Sequence, residues 1–131
     1  RKNIKPLFSF GHGLSYTQFK YSNLNVSVNA DNTVICSFFV QNIGDVIGSE
    51  TMQCYVRYIE EDLSEPLKTL QGFQKNEFEV GGKNQIEISL SSRNFATWNV
   101  DTKDWQVRPG VYEISIGSSA EDIHLQTTIN L

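Results

Sequence analysis

The chain has 131 residues, 39% hydrophobic and 20% charged, with a formal net charge of −4, the size and balance of one folded water-soluble domain. Acidic and basic residues are interspersed, which removes the electrostatic case for nucleic acid or an anionic membrane as partner. No apolar run approaches the ~20 residues of a membrane-spanning helix, and Arg1-Lys2 is not followed by the apolar stretch of a signal peptide.

The first segment with a strong character is Pro6–Phe19, which concentrates Phe8, Phe10, Leu14, Tyr16 and Phe19 around Gly11 and Gly13. So much apolar surface must be buried against something, and the two glycines allow positive φ or close approach to a neighbour. Residues 1–20 are therefore expected to form an extended strap that packs on another body through Phe8, Phe10, Gly11, His12, Gly13, Leu14 and Tyr16. His12 hydrogen-bonds either that body or nearby backbone.

From Tyr21 the pattern has period two. Leu24, Val26 and Val28 alternate with polar residues, Asp31-Asn32 supplies a turn, and Val34, Cys36, Phe38 and Val40 alternate again. Asn42-Ile-Gly-Asp45 breaks the run. Glu50–Ile59 then places Met52, Cys54, Val56 and Tyr58 on one face, with Thr51, Gln53, Tyr55 and Arg57 on the other. An acidic loop, Glu60-Glu61-Asp62, precedes a strand within 67–78, and Ile86, Ile88 and Leu90 alternate after Gly81-Gly82. Ser91–Thr97 has room for a single helical turn. Phe95–Val107 reads as a hairpin with Trp98 and Trp105 on opposite arms, and strands at Val111–Ile116 and Asp122–Leu131 close the chain. Short strands at regular spacing with turn residues between them predict an all-β chain, an antiparallel β-sandwich of about seven to eight strands over residues 21–131.

Several stretches resemble one family in chain order. Pro6–Phe19 is similar to the "PFGxGLSYTxF" stretch of glycoside hydrolase family 3 enzymes, the β-glucosidases and β-xylosidases. Val40–Gly48 resembles their "VxNTGxxxGxE" turn, Gln53–Val56 their "QLYV" strand, Pro66–Phe73 their "PxKxLxGF" signature, and Gly110–Ser119 their "GxYxxxVGxSS" ending. The resemblance implies a C-terminal fibronectin type III-like, immunoglobulin-like domain that accompanies the catalytic domains of the same parent chain, in a periplasmic or secreted enzyme. Cys54 stands where leucine is common, Ile43 where threonine is, and Ser9 where proline is.

Direct inspection for chemistry agrees with a non-catalytic role. A retaining glycosidase needs two carboxyl groups about 5–5.5 Å apart, and the "SDW"-like nucleophile motif that the family carries in its barrel is absent; Lys103-Asp104-Trp105 is a hairpin arm. His12 and His124 are far apart and no C-x-x-C occurs, so no metal or other cofactor is expected. Two readings stand for Cys36 and Cys54: buried thiols, the favoured one, or a disulfide between facing strands. Two also stand for Trp98 and Trp105: capping the end of the sandwich, the favoured one, or contacting carbohydrate through their ring faces. The second would suit an autonomous polysaccharide-binding or adhesion module.

Overall fold

A computed structural model of the chain describes residues 17–59 and 68–131. The strap residues Phe8 through Tyr16 and the acidic loop at 60–62 lie outside the described residues. Among the described residues nine strands run β1 (Phe19–Val28), β2 (Val34–Asn42), β3 (Gly48–Ile59), β4 (Thr69–Phe78), β5 (Lys83–Leu90), β6 (Ala96–Asn99), β7 (Asp104–Val107), β8 (Val111–Ser119) and β9 (Asp122–Asn130), with one 3-10 turn at Ser92–Phe95 before β6. They form a four-stranded sheet of order β9-β8-β3-β4, a three-stranded sheet of order β1-β2-β5 and the separate β6–β7 ribbon, every pairing antiparallel. The all-β sandwich is as the alternation predicts. The short β6–β7 pair accounts for the strands beyond seven.

The core lies between the two large sheets and follows the period-two pattern. Val34, Cys36, Phe38 and Val40 of β2 are fully buried, facing Met52, Cys54 and Val56 of β3 and Ile114 and Ile116 of β8. Burying a side chain such as Phe38 or Ile114 contributes about 1.5–3 kcal/mol. β1 begins at Phe19, two residues before the alternation becomes legible, because Phe19 pairs with Asn42 and its ring meets Phe78 edge-on at 5.4 Å.

Local chemistry sets the turns. Asp31 Oδ1 accepts the Thr33 amide at 3.1 Å, while Asn32 takes φ +64°, a left-handed position that asparagine tolerates. In the single helical turn, Asn94 Oδ1 accepts the Ser91 amide at 2.8 Å. Tyr112 Oη donates to the Arg108 carbonyl at 2.7 Å and Tyr58 Oη to that of Pro109 at 2.9 Å, so two core tyrosines hold the Arg108-Pro109-Gly110 turn. Gly72, opposite Cys54 in the register, brings β4 against the other sheet: a Cβ there would stand 3.0 Å from Ile88 and 3.2 Å from Leu90.

At the end of β2, Asn42 is a wholly buried polar residue. Its Nδ2 donates to the carbonyls of Val46 at 2.9 Å and Phe78 at 3.2 Å, and its Oδ1 accepts the Gly44 amide at 2.9 Å. One side chain thus closes the 43–47 loop on itself and ties it to the end of β4. β9 carries register shifts around Ile123, and opposite them sits Gly117, where a Cβ would collide with the Asp122 carbonyl.

Candidate functional site

Trp98 and Trp105 are register partners across the β6–β7 ribbon, their rings 5.6 Å apart at 73°. They lie on the same face as Ala96 and Val107, which follows from the pairing Ala96↔Val107 two residues away, and Val107 packs on the core. The indoles extend that face past the end of the sandwich and stay 51% and 43% exposed. The Arg93 guanidinium sits 4.3 Å over the Trp105 ring, a cation–π contact that occupies one of its faces. The arrangement combines capping with exposure, an angled aromatic shelf instead of a flat platform.

A second apolar surface lies on the outer face of the four-stranded sheet. Leu70 pairs with Tyr55, Phe73 with Gln53, and Ile59 with Val111, which puts all of them on the side away from the core. Phe73 is 66% exposed and Leu70 47%. Tyr55, on this outer face, is nevertheless buried and its hydroxyl donates to Gln53 Oε1. Tyr58 turns inward and meets Tyr112 edge-on at 4.9 Å, so the two tyrosines take opposite faces as the alternation requires. Beside them Arg57 and Glu113, also register partners, form an ion pair at 3.1 Å.

The third site is an open cleft of about 340 Å³ where the sheets part, lined by residues that include Thr17, Phe19, Glu50, Ser118, Asp122 and His124. Tyr21 is tied to this lining through Glu50 and His124. Its ring lies parallel to Phe38 at 6.1 Å and to His124 at 4.2 Å, and its hydroxyl donates to Glu50 Oε2 at 2.7 Å. His124 Nε2 is 3.2 Å from Asp122 Oδ2, which also accepts from Ser118 Oγ. The cluster joins four strands, β1, β3, β8 and β9, with Tyr21, Glu50, Asp122 and His124 on three of them, and sequence reasoning missed it; the one local signal was the i, i+2 spacing of Asp122 and His124. Burial, followed by the nearby Glu50 carboxylate, drives the Tyr21 phenol far above its ordinary range, which keeps it a donor. Burial likewise raises Glu50, opposed by the Tyr21 hydrogen bond and His124 and reinforced by Asp122.

A carboxyl group raised in the folded state stabilises the fold fully below its unfolded pKa and loses that contribution as pH rises through the folded value. Glu50→Gln removes the charge but keeps an oxygen for Tyr21 to donate to. The variant is expected to melt above the unaltered chain at pH 7, the two curves converging as pH falls below ~4 and the glutamate becomes neutral in both states. Thermal melts from about pH 3.5 to 8 check this; a constant offset across the series would refute it.

Cys36 and Cys54 are free, buried thiols. Among the described residues no group of three or more His, Cys, Asp or Glu is placed to hold a metal ion. Each carboxylate of the cleft is engaged by a neighbouring side chain.

Comparison with known proteins bears on these surfaces. Residues 50–120 match the model of the fibronectin type III-like domain. The chain is 40% identical over 133 aligned positions to the thermostable β-glucosidase B of Acetivibrio thermocellus, covering 99% of this chain and 18% of that protein. Among solved structures it superposes on the family 3 (GH3) β-glucosidase of Bifidobacterium adolescentis with TM-score 0.82 and 34% identity, covering 92% of this chain and 18% of that one. For the β-D-glucoside glucohydrolase of Trichoderma reesei the TM-score is 0.80 at 30% identity, covering 97% and 20%. The chain thus spans about a fifth of the length of these relatives.

Proposed function

We propose that this chain, which belongs to the fibronectin type III-like domain family, is the accessory domain of a β-glycosidase and stabilises the catalytic domains of the same parent chain by docking on them. The parent would hydrolyse terminal β-linked glucosyl or xylosyl units, with its catalytic carboxylates elsewhere in the chain. The similarity to β-glucosidases over nearly the whole chain supports this reading. The observation that carries it is the outer-face patch of Leu70 and Phe73, apolar surface on a strand that a free-standing domain has no reason to leave bare.

The test places Leu70→Ser and Phe73→Ser together in the full-length parent and in the 131-residue chain. The parent is expected to melt several degrees lower and to be cut more readily by protease, while the chain alone keeps its melting temperature, since both residues are exposed. Equal stability of variant and unaltered parent would sink the docking reading.

A second reading, a polysaccharide-contacting module, draws support from the half-exposed indoles of Trp98 and Trp105, whose faces can stack on the C–H surface of a sugar ring. Retention of the 131-residue chain on cellulose, xylan or β-glucan, abolished by Trp98→Ala, would favour it. Passage through all three without retention would remove it.

A further inference from the structure

We infer that Cys36 and Cys54 form a latent inter-sheet disulfide, two opposed thiols that close to a bond when the chain folds in the presence of a disulfide oxidant. Cys36 lies on β2, the middle strand of the three-stranded sheet, and Cys54 on β3, an inner strand of the four-stranded sheet. Both are fully buried in the same core cluster. Their register neighbours are Val26 and Ile88 for Cys36, and Gly72 and Ile116 for Cys54. None of these side chains offers a polar partner.

Gly72, the register partner of Cys54, would place a Cβ 3.0 Å from Ile88, the register partner of Cys36, so the two cysteines stand in facing rows across the core. Face-to-face sheets stand ~10 Å apart, so two cysteine side chains meet when they are directly opposed. Closure brings the sulfurs to ~2.05 Å and draws the two middle strands together at that point.

Either thiol can open the exchange; taking Cys36, its Sγ, once deprotonated, attacks one sulfur of oxidised glutathione and expels a glutathione thiolate. Cys54 Sγ, losing its proton, then attacks the mixed disulfide at Cys36 and expels the second. Two cysteine thiols are oxidised by two electrons and one glutathione disulfide is reduced to two thiols, so the exchange balances. Because neither sulfur is accessible in the closed sandwich, it takes place before the sheets dock or on opening. An oxidising compartment such as the periplasm supplies the conditions.

The experiment refolds the 131-residue chain from denaturant in an oxidised/reduced glutathione buffer and, in parallel, in excess reductant. The oxidised sample is expected to be a monomer with no titratable thiol after denaturation, an intact mass two hydrogens lower, and a melting temperature about 10 °C above the reduced sample. Cys36→Ser and, should that fold poorly, Cys54→Val give no such intramolecular product. Two titratable thiols in a natively folded oxidised sample would overturn the inference. So would a product made solely of dimers or glutathione adducts, or an intramolecular bond that lowers the melting temperature.

Discussion

Asn42→Leu is expected to lower the unfolding free energy by about 4 kcal/mol, the largest loss anticipated from any single polar side chain here. Leucine keeps the branched heavy-atom skeleton of asparagine but is bulkier and offers no hydrogen bond. The side chain of Asn42 serves three backbone groups, the carbonyls of Val46 and Phe78 and the amide of Gly44, and a buried group left without its partner costs about 1–3 kcal/mol. The main-chain bonds of Asn42, with its amide donating to Gly82 at 2.9 Å and its carbonyl accepting from Gly81 at 3.0 Å, survive the change and anchor the variant to the same strand end. Urea unfolding should therefore show a lower midpoint with an unchanged slope. Asn42→Asp is expected to lose almost as much: it keeps the acceptor for Gly44 but turns carboxylate oxygen toward two carbonyls. A loss under 1 kcal/mol in both variants would contradict this account.

Gly117→Ala is expected to cost about 3 kcal/mol, read as a melting temperature roughly 10 °C lower. The added methyl meets main chain, not a side chain that can swing away: it collides with the Asp122 carbonyl and stands 2.8 Å from Ile123 Cα. β9 can escape only by giving up the irregular pairing at Ile123. That movement carries His124 away from Tyr21, so the His124 ring protons should lose the ring-current shift that stacking at 4.2 Å imposes. Thermal melts and the imidazole NMR resonance positions of the unaltered chain and the variant read the two effects, and an unshifted, equally stable variant would refute them.

These two residues also mark how far the sequence could be read. The sandwich was legible because β2 alternates without fault: Val34, Cys36, Phe38 and Val40 are each wholly buried, and the same period orders β3 and β8. The family-like motifs were legible as patterns, and the structure gives several of them a physical reason. Asn42 and Gly44 are the two ends of one hydrogen bond, Gly72 admits β4 to the opposite sheet, and Gly117 admits the irregularity in β9. The Tyr21–Glu50–Asp122–His124 cleft was not legible, because its members come from three strands and meet through register and a bulge, neither of which composition encodes. Exposure on the two-stranded ribbon was equally hidden. Pairing of Trp98 with Trp105 follows from a hairpin, but how far that hairpin overhangs the sandwich depends on the turn at Ser92–Phe95 that aims it.

That overhang has a spectroscopic consequence. Both tryptophans of the chain reside on a ribbon that pairs with neither large sheet, whereas most of the tyrosines that are described sit in or against the core. Intrinsic fluorescence excited at the indole band therefore reports the ribbon and its guanidinium neighbour, not cohesion of the sandwich. The global transition of this chain belongs to the tyrosine signal and to the far-ultraviolet spectrum of its strands.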